Sequence, residues 1–271
     1  MVFITANFAK NNNLLPTSNT PNISLPTIGN TFIELAEIDS TNTYAMKQIQ
    51  AKVAEHGTAY FAHNQTNGKG TRGKSWHSET GNNIILSVIL DINWLSVRNQ
   101  FLLSAWAALS VFDFLSKYVQ NGIKIKWTND IYIDNSKIAG ILIENKVKGN
   151  KLQWAVVGIG ININQINFDS TLSKATSLAL VTNKKYDALL LSKELCFCLE
   201  KRFQSLINKD ANGLINDYNK NLFKLNEVVK LKKDNLLFNC TIKKVTKTGF
   251  LVVNNGIEQQ LAFGEVEWIL S

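Results

Sequence analysis

The stretch IKIKWTNDIYIDNSKIAGILIENKVKGNKLQWAVVGIGI, residues 123–161, decides the fold class. It holds four segments rich in β-branched residues: Ile123 to Trp127, Ile131 to Ile133, Ile138 to Asn145 and Leu152 to Ile161. Such side chains suit a pleated surface, and the separators Thr128-Asn129-Asp130 and Val147-Lys148-Gly149-Asn150 carry turn chemistry. That succession describes a strand meander and not a parallel βαβ series.

Toward the N-terminus, a strand at Thr31 to Ala36 leads into Asp39-Ser40-Thr41-Asn42, good helix-capping chemistry, and then a helix with Ala45, Ile49 and Val53 on one face. Ala59 to His63 reads as a short strand, Gly68 to Lys74 as a glycine-rich basic loop, and Asn83 to Leu90 as an apolar strand ending at Asp91. The apolar run Phe101 to Tyr118 is interrupted by Ser104, Ser110, Asp113 and Ser116, so it reads as a buried helix and not a membrane span.

Toward the C-terminus, Asp187 to Asn208 is an amphipathic helix, followed by a shorter one to about Tyr218. From Leu225 the pattern changes to short strands at Val228 to Leu231, Asn239 to Val245, Gly249 to Val253, Glu258 to Ala262 and Val266 to Ile269. That rhythm suits a small β-barrel appended to an α+β domain. The expected division is an irregular lead-in at 1–30, which holds Pro16, Pro21 and Pro26, a main domain at 31–223 and a small one at 224–271.

At 271 residues with 45% hydrophobic content, the chain can bury a sizeable core. Its net charge of +8 suits a partner with phosphates or carboxylates, but Lys and Arg are dispersed, so charge alone favours neither DNA nor nucleotide. Cys196, Cys198 and Cys240 form no metal-spaced pairs and no even disulfide set, so reduced structural thiols are expected. His56, His63 and His77 lack the HExxH spacing, so no tightly bound protein metal is expected. Met1 to Lys10 lacks the charged start of a signal peptide, and too little chain precedes residue 31 for a winged DNA-binding module. A cytoplasmic location follows as an expectation.

Gly68-Lys69-Gly70-Thr71-Arg72-Gly73-Lys74-Ser75 satisfies the P-loop pattern GxxxxGK[ST], and its first six residues satisfy GxGxxG. Both phosphate loops deliver backbone amides into the N-terminus of a helix that begins at once. Here Trp76-His77-Ser78-Glu79-Thr80-Gly81 is a poor helix start that leads into a strand. What remains is a flexible loop whose glycines permit close approach to an anion while Lys69, Arg72 and Lys74 supply charge, or else a solvated basic hairpin.

With its neighbours the loop resembles the signature of biotin–protein ligases, in which a glutamine precedes a glycine-arginine-glycine loop ending in tryptophan: here Gln65 through Trp76. Asp39-Ser40-Thr41-Asn42 is similar to the first biotin-contacting segment of that family. Lys126-Trp127-Thr128-Asn129-Asp130 is similar to its KWPND block, Lys137-Ile138-Ala139-Gly140-Ile141-Leu142-Ile143-Glu144 to its K-x-AGIL-x-E strand, and Gly158-Ile159-Gly160-Ile161-Asn162 to its GxGIN segment. The resemblance extends to the C-terminal barrel, ending in Gly264-Glu265-Val266-Glu267-Trp268. Lys69 stands where an arginine is usual, Thr71 where many relatives carry another, and Thr128 in place of the proline.

The resemblance implies a catalytic domain like those of class II aminoacyl-tRNA synthetases and biotin ligases, with a mixed, mainly antiparallel sheet plus an SH3-like C-terminal barrel. It implies biotin and ATP as substrates, Mg²⁺ as counter-ion, a biotin carboxyl carrier domain such as that of acetyl-CoA carboxylase as acceptor, and an oligomeric state left open, a homodimer included. Ser40, Thr41 and Gln65 would address the biotin ureido group, with Asn42 beside them; helix capping also explains Ser40 and Asn42. Gly68, Lys69, Gly70, Thr71, Lys137 and Gly140 would follow the biotin tail. Arg72, Trp76, Asn129, Asp130 and Asn162 would take the adenylate; a core position is the competing explanation for Trp76, and a turn for Asn129-Asp130. Asp130 would also hold magnesium through water or phosphate.

Lys137 would sit between the biotin carboxylate and the α-phosphate and stabilise the transition state, with Lys69 assisting; an edge-strand lysine is the plain alternative. A lipoate–protein ligase would share the fold and the adenylation chemistry with a different glycine loop. A nucleic-acid-binding protein is the rival of another class, and no aromatic RNA-binding signature supports it.

Overall fold

The computed structural model describes residues 27–149, 151–169, 174–208 and 210–269, so most of the expected lead-in lies outside the described residues. Seven strands form the main sheet: β1 (Phe32–Ile38), β2 (Ala59–Gln65), β3 (Asn83–Asp91), β4 (Ile123–Lys126), β5 (Asp130–Ile133), β6 (Ser136–Lys148) and β7 (Lys151–Asn162). Their order across the sheet is β1-β2-β3-β7-β6-β5-β4, in which β1 and β2 are parallel and every other pairing is antiparallel. The meander at 123–161 therefore supplies one half of the sheet. The helix α1 (Thr41–Gln50) is the crossover that makes β1 and β2 parallel.

β3 is buried on both faces along nearly its whole length, which explains why it reads as an apolar run broken only by Ser87. Its residues alternate: Ile84, Leu86, Val88 and Leu90 join the main core, while Ile89 joins Ala45, Ile49, Tyr60 and Val156 under α1. The main core is closed by α2 (Phe101–Leu115), α4 (Ala188–Ile207) and α5 (Ala211–Lys220); a short helix α3 (Leu178–Thr182) was not expected from the sequence. Burying each Leu, Ile or Phe of this kind contributes about 1.5–3 kcal/mol. The polar residues that interrupt α2 are used: Ser110 Oγ donates to Trp106 O at 2.8 Å, and Asp113 holds Arg202, which also reaches Asp217. Among the described residues no helix is long and apolar enough to cross a membrane. All three cysteines are free and buried, and burial pushes the Cys196 thiol up to about 12.

The C-terminal strands β8 (Val228–Lys233), β9 (Leu236–Val245), β10 (Leu251–Asn254), β11 (Glu258–Leu261) and β12 (Glu267–Ile269) form an antiparallel sheet ordered β11-β10-β9-β8-β12. It is fastened to the main domain at the Lys126–Asp130 block. Trp127 Nε1 donates to Gly249 O at 2.9 Å, and Lys126 Nζ lies 5.2 Å from the Tyr132 ring centroid and 5.6 Å from that of Trp268. Gly249 has φ +90°, and a Cβ there would stand 2.8 Å from the Phe101 ring, so glycine is required on both counts.

Candidate active site

The site is built where α1, β2, β3, β7 and β6 meet. Ser40 is extended (φ −158°, ψ 132°) and caps α1 through its own side chain, while Ile38 O and Asp39 O accept from Thr66 N and Asn67 N. Those bonds tie the helix start to the foot of the glycine loop. Thr41 N and Oγ1 both lie within hydrogen-bond distance of Gln65 Oε1, at 2.8 and 3.1 Å.

The floor is made of glycines on the α1-facing side of β6 and β7. A Cβ at Gly158 would fall 2.1 Å from Asn42 Oδ1, and one at Gly160 would fall 2.5 Å from Trp76 Cε2. At Gly140 it would meet Trp76 Cζ3 at 3.1 Å and Lys137 Nζ at 3.2 Å. The missing side chains are thus the space in which Asn42, Trp76 and Lys137 sit, a reason for these glycines that alternation in a strand does not reveal.

Lys137 Nζ pairs with Asp130 Oδ1 at 2.7 Å and stands 5.6 Å from the centroid of Trp76. The indole Nε1 of Trp76 is buried with no hydrogen-bond partner among the described residues. Ser40, Thr41, Asn42, Gln65, Lys69, Gly70, Thr71, Trp76, Asn129, Lys137, Gly140, Gly158 and Gly160 all line one cavity of about 50 Å³. That is well below the roughly 300–1,000 Å³ of ligand clefts, because Trp76 lies across the floor.

Not every expected residue reaches this cavity. Gly68 packs at the loop's root, where a Cβ would meet Trp76 O at 2.3 Å. Asn162 is buried at the end of β7 and donates from Nδ2 to Thr176 O at 3.0 Å. Asp130 enters only through Lys137. Arg72, with φ 57°, lines a second cavity of about 370 Å³ between the main and C-terminal sheets, shared with Phe101, Asn129, Phe250 and Phe263. Of the three loop cations, Lys69 alone lines the first cavity.

The loop itself closes on its own backbone: Trp76 N donates to Gly68 O at 2.9 Å and Gly70 N to Lys74 O at 2.6 Å, around a single 3₁₀ turn at Thr71–Gly73. No α-helix follows it, so the helix N-terminus that a P-loop or dinucleotide loop requires is missing.

Residues 35–162 match the model of the biotin/lipoate A/B protein ligase family. That segment, just under half of the chain, is similar to the family. The bifunctional ligase/repressor BirA of Bacillus spizizenii is 33% identical over 171 residues, 62% of this chain and 52% of its own length. The biotin–[acetyl-CoA-carboxylase] ligase of Paracoccus denitrificans is 35% identical over 132 residues, covering 48% and 53%. The match thus spans about half the length of either relative. The biotin protein ligase of Aquifex aeolicus, solved with biotin and ATP, superposes with TM-score 0.75 at 25% identity, over 89% of this chain and 100% of that one.

Sequence reasoning left three residues around this site without a role. Lys126 belongs to the KWTND block, yet only the fold places its ammonium between Tyr132 and Trp268; burial pushes its pKa down, with Asp130 opposing and Lys137 and Lys74 adding to the shift. Ser87 and Glu144 hold Asn42: Ser87 Oγ is 2.7 Å from Asn42 Oδ1, and Asn42 Nδ2 donates to Glu144 Oε2 at 2.8 Å. A serine within an apolar strand was the available signal for Ser87, since a buried hydroxyl needs a partner.

Proposed function

We propose that this protein is a biotin–protein ligase, which activates biotin with ATP to biotinyl-5′-adenylate and pyrophosphate and then transfers biotin to a lysine of a biotin carboxyl carrier domain. The observation that carries the reading is a single cavity lined both by Ser40, Thr41 and Gln65 and by the ammonium of Lys137. Gln65 ends β2 and Lys137 lies on β6, three steps across the sheet and so roughly 14 Å apart at about 4.8 Å per step. That separation suits a ligand with a polar ring at one end and a carboxylate at the other.

In the proposed mechanism the hydroxyl and carboxamide groups fix the ureido ring, and the apolar tail runs over the glycine floor once Trp76 swings from it to cover the ligand. The biotin carboxylate then meets the α-phosphate beside Lys137. Two anions approach there and charge grows as pyrophosphate leaves, so a held ammonium lowers the barrier electrostatically. Asp130 keeps that ammonium in place until the anions arrive.

Arg72, Asn129 and Asp130 are assigned to the nucleotide. Among the described residues no cluster of three or more His, Cys, Asp or Glu forms a metal cradle. Magnesium would come with the triphosphate and be held by Asp130 through water or phosphate. Transfer needs no nucleophilic side chain: the carrier amine attacks the carbonyl of the mixed anhydride and AMP leaves. With its buried free thiols, the protein is assigned to the cytoplasm.

The test is incubation with Mg-ATP and either biotin or lipoate, followed by addition of a carrier domain. Biotin-dependent pyrophosphate release and a carrier mass increase of one biotinyl group support the proposal. Lipoate dependence would reassign the chain within its family, and ligand-independent ATP hydrolysis to ADP would defeat the adenylation chemistry.

A further inference from the structure

Lys126 is a buried cation that the adenylation scheme leaves unused. It ends β4 directly opposite Asp130, the first residue of β5, in an antiparallel pairing that brings opposed Cβ atoms to about 4.5–5.5 Å. Tyr132 follows Asp130 by two residues and so shares its face of β5. The Lys126 ammonium lies over that ring, 5.2 Å from the centroid and 3.4 Å from the hydroxyl. The C-terminal sheet closes the slot from the other side: Trp268, on β12, stands 5.6 Å from the same ammonium, and Phe223 packs on both rings. That sheet is fixed in place, because residues 221–226 bond to both sheets. Ile125 N donates to Asn221 O and Phe223 N to Ile125 O, while Asn226 N donates to Ile242 O. Burial disfavours the charge on Lys126 most strongly, Asp130 favours it, Lys137 and Lys74 disfavour it, and Glu267 favours it. Asp130 thus does most to keep Lys126 charged, and it is also the partner of Lys137 Nζ at 2.7 Å. Two ammoniums act on one carboxylate, Lys137 in contact and Lys126 set back between two rings.

We infer that Lys126 is a positioning residue for the adenylation step: from its slot between Tyr132 and Trp268 it sustains the Asp130 carboxylate, so that Lys137 can turn from Asp130 to the reacting anions. The inference rests on the ligase reading above, in which Lys137 serves the biotin carboxylate and the α-phosphate. When those anions arrive, Lys137 gives up part of its pairing with Asp130. A carboxylate left without another cation would pull the ammonium back, and a second positive charge beside it offsets that pull. The rings hold Lys126 by their negative faces and supply no anion of their own, so Asp130 stays its main counter-charge. Glu267, exposed on the same strand as Trp268, is the weaker influence.

The test is single-turnover pyrophosphate release from the full chain at saturating biotin and varied Mg-ATP, arranged as a double-mutant cycle over Lys126 and Asp130. Lys126→Met is expected to slow the saturated rate on the order of ten-fold, the scale of coupling between neighbouring charges. Biotin affinity and the half-saturating Mg-ATP are expected to change less than about two-fold, as for a group that acts on the transition state alone. Lys126→Arg, whose guanidinium keeps the charge and stacks on aromatic rings, is expected to recover most of the rate. With Asp130→Asn already in place, Lys126→Met is expected to add less than about two-fold. Lys126→Gln gives the same comparison if the methionine variant does not fold. Equal slowing in both Asp130 backgrounds would show that Lys126 only supports the fold, and the inference is overturned. A raised half-saturating Mg-ATP at an unchanged saturated rate would make Lys126 a direct phosphate contact, which also overturns it. If the unmodified protein releases no pyrophosphate with biotin, the ligase reading falls first and takes this inference with it.

Discussion

Trp76 and Gly160 share one surface: the indole lies where a Cβ at position 160 would stand, 2.5 Å from Cε2 and 2.9 Å from Nε1. Gly160→Ala is therefore expected to push the indole off the floor, costing about 1–3 kcal/mol of stability as an overpacked site. It is also expected to weaken biotin binding, since the added methyl stands where the ligand would lie. Urea unfolding, acrylamide quenching with Trp76→Phe as the control, and a biotin titration check this. Unchanged quenching and affinity would show that Trp76 does not depend on that glycine.

Lys137 is expected to act on the transition state more than on binding. Lys137→Ala should slow single-turnover adenylation by about two to three orders of magnitude, the scale for removing one preorganised electrostatic donor, with a much smaller loss of biotin affinity. Pyrophosphate release in a single turnover is the measurement. Asp130→Asn frees the ammonium from its partner at 2.7 Å and is expected to have a milder effect. A near-normal rate for Lys137→Ala would return Lys137 to the role of an edge-strand residue.

Acid is expected to destabilise the fold through His56. Burial lowers its pKa below 6.5, against opposing contributions from Asp91 and Glu200. Nδ1 accepts from Asp91 N at 3.1 Å, and the buried Nε2 has no partner among the described residues. Below about pH 6.5 the unfolded chain binds a proton that the folded one does not. The contribution of neutral His56 is therefore complete above that pH and is lost as the pH falls toward the lowered folded value. Urea midpoints between pH 7.5 and 5 should drop more steeply for the natural protein than for His56→Asn; parallel curves would assign the acid sensitivity elsewhere.

The glycine loop is expected to tighten around the adenylate. Arg72, Gly73, Lys74 and Ser75 are exposed, and the backbone bonds that close the loop link Gly68 to Trp76 and Gly70 to Lys74. Hydrogen exchange from Thr71 to Ser75 should slow clearly when biotin and Mg-ATP are added together, because the new anion gives these amides and cations something to close on. Equal strong protection with and without ligands would mean a loop already rigid.

Local pattern was enough for much of this protein. Strand alternation, the caps at Ser40 and Asp187, and the turn residues between β4 and β7 depend on neighbours in the chain, so the element types and their approximate bounds could be read from residues alone. The same holds for the failure of Gly68–Ser75 as a phosphate loop, since it needs only the residues that follow. The resemblance to the ligase family is legible in the same way, because each of its blocks is a contiguous run of residues and their order is the order of the chain.

Other features depended on which distant segments become neighbours. Nothing local specifies that β3 lies beside β7 and not beside β4, and that choice carries Ser87 and Glu144 to Asn42 across 45 and 102 residues of chain. It likewise lays Trp76 over Gly140 and Gly160, divides Lys69 and Arg72 between two cavities, and sets Lys126 against Trp268. The sequence by itself determined the elements and the chemical groups available to the site. Only the tertiary structure decided which groups face the cavity and which are spent on one another, because hydrogen-bond partners and burial follow from strand order and register, which long-range packing sets.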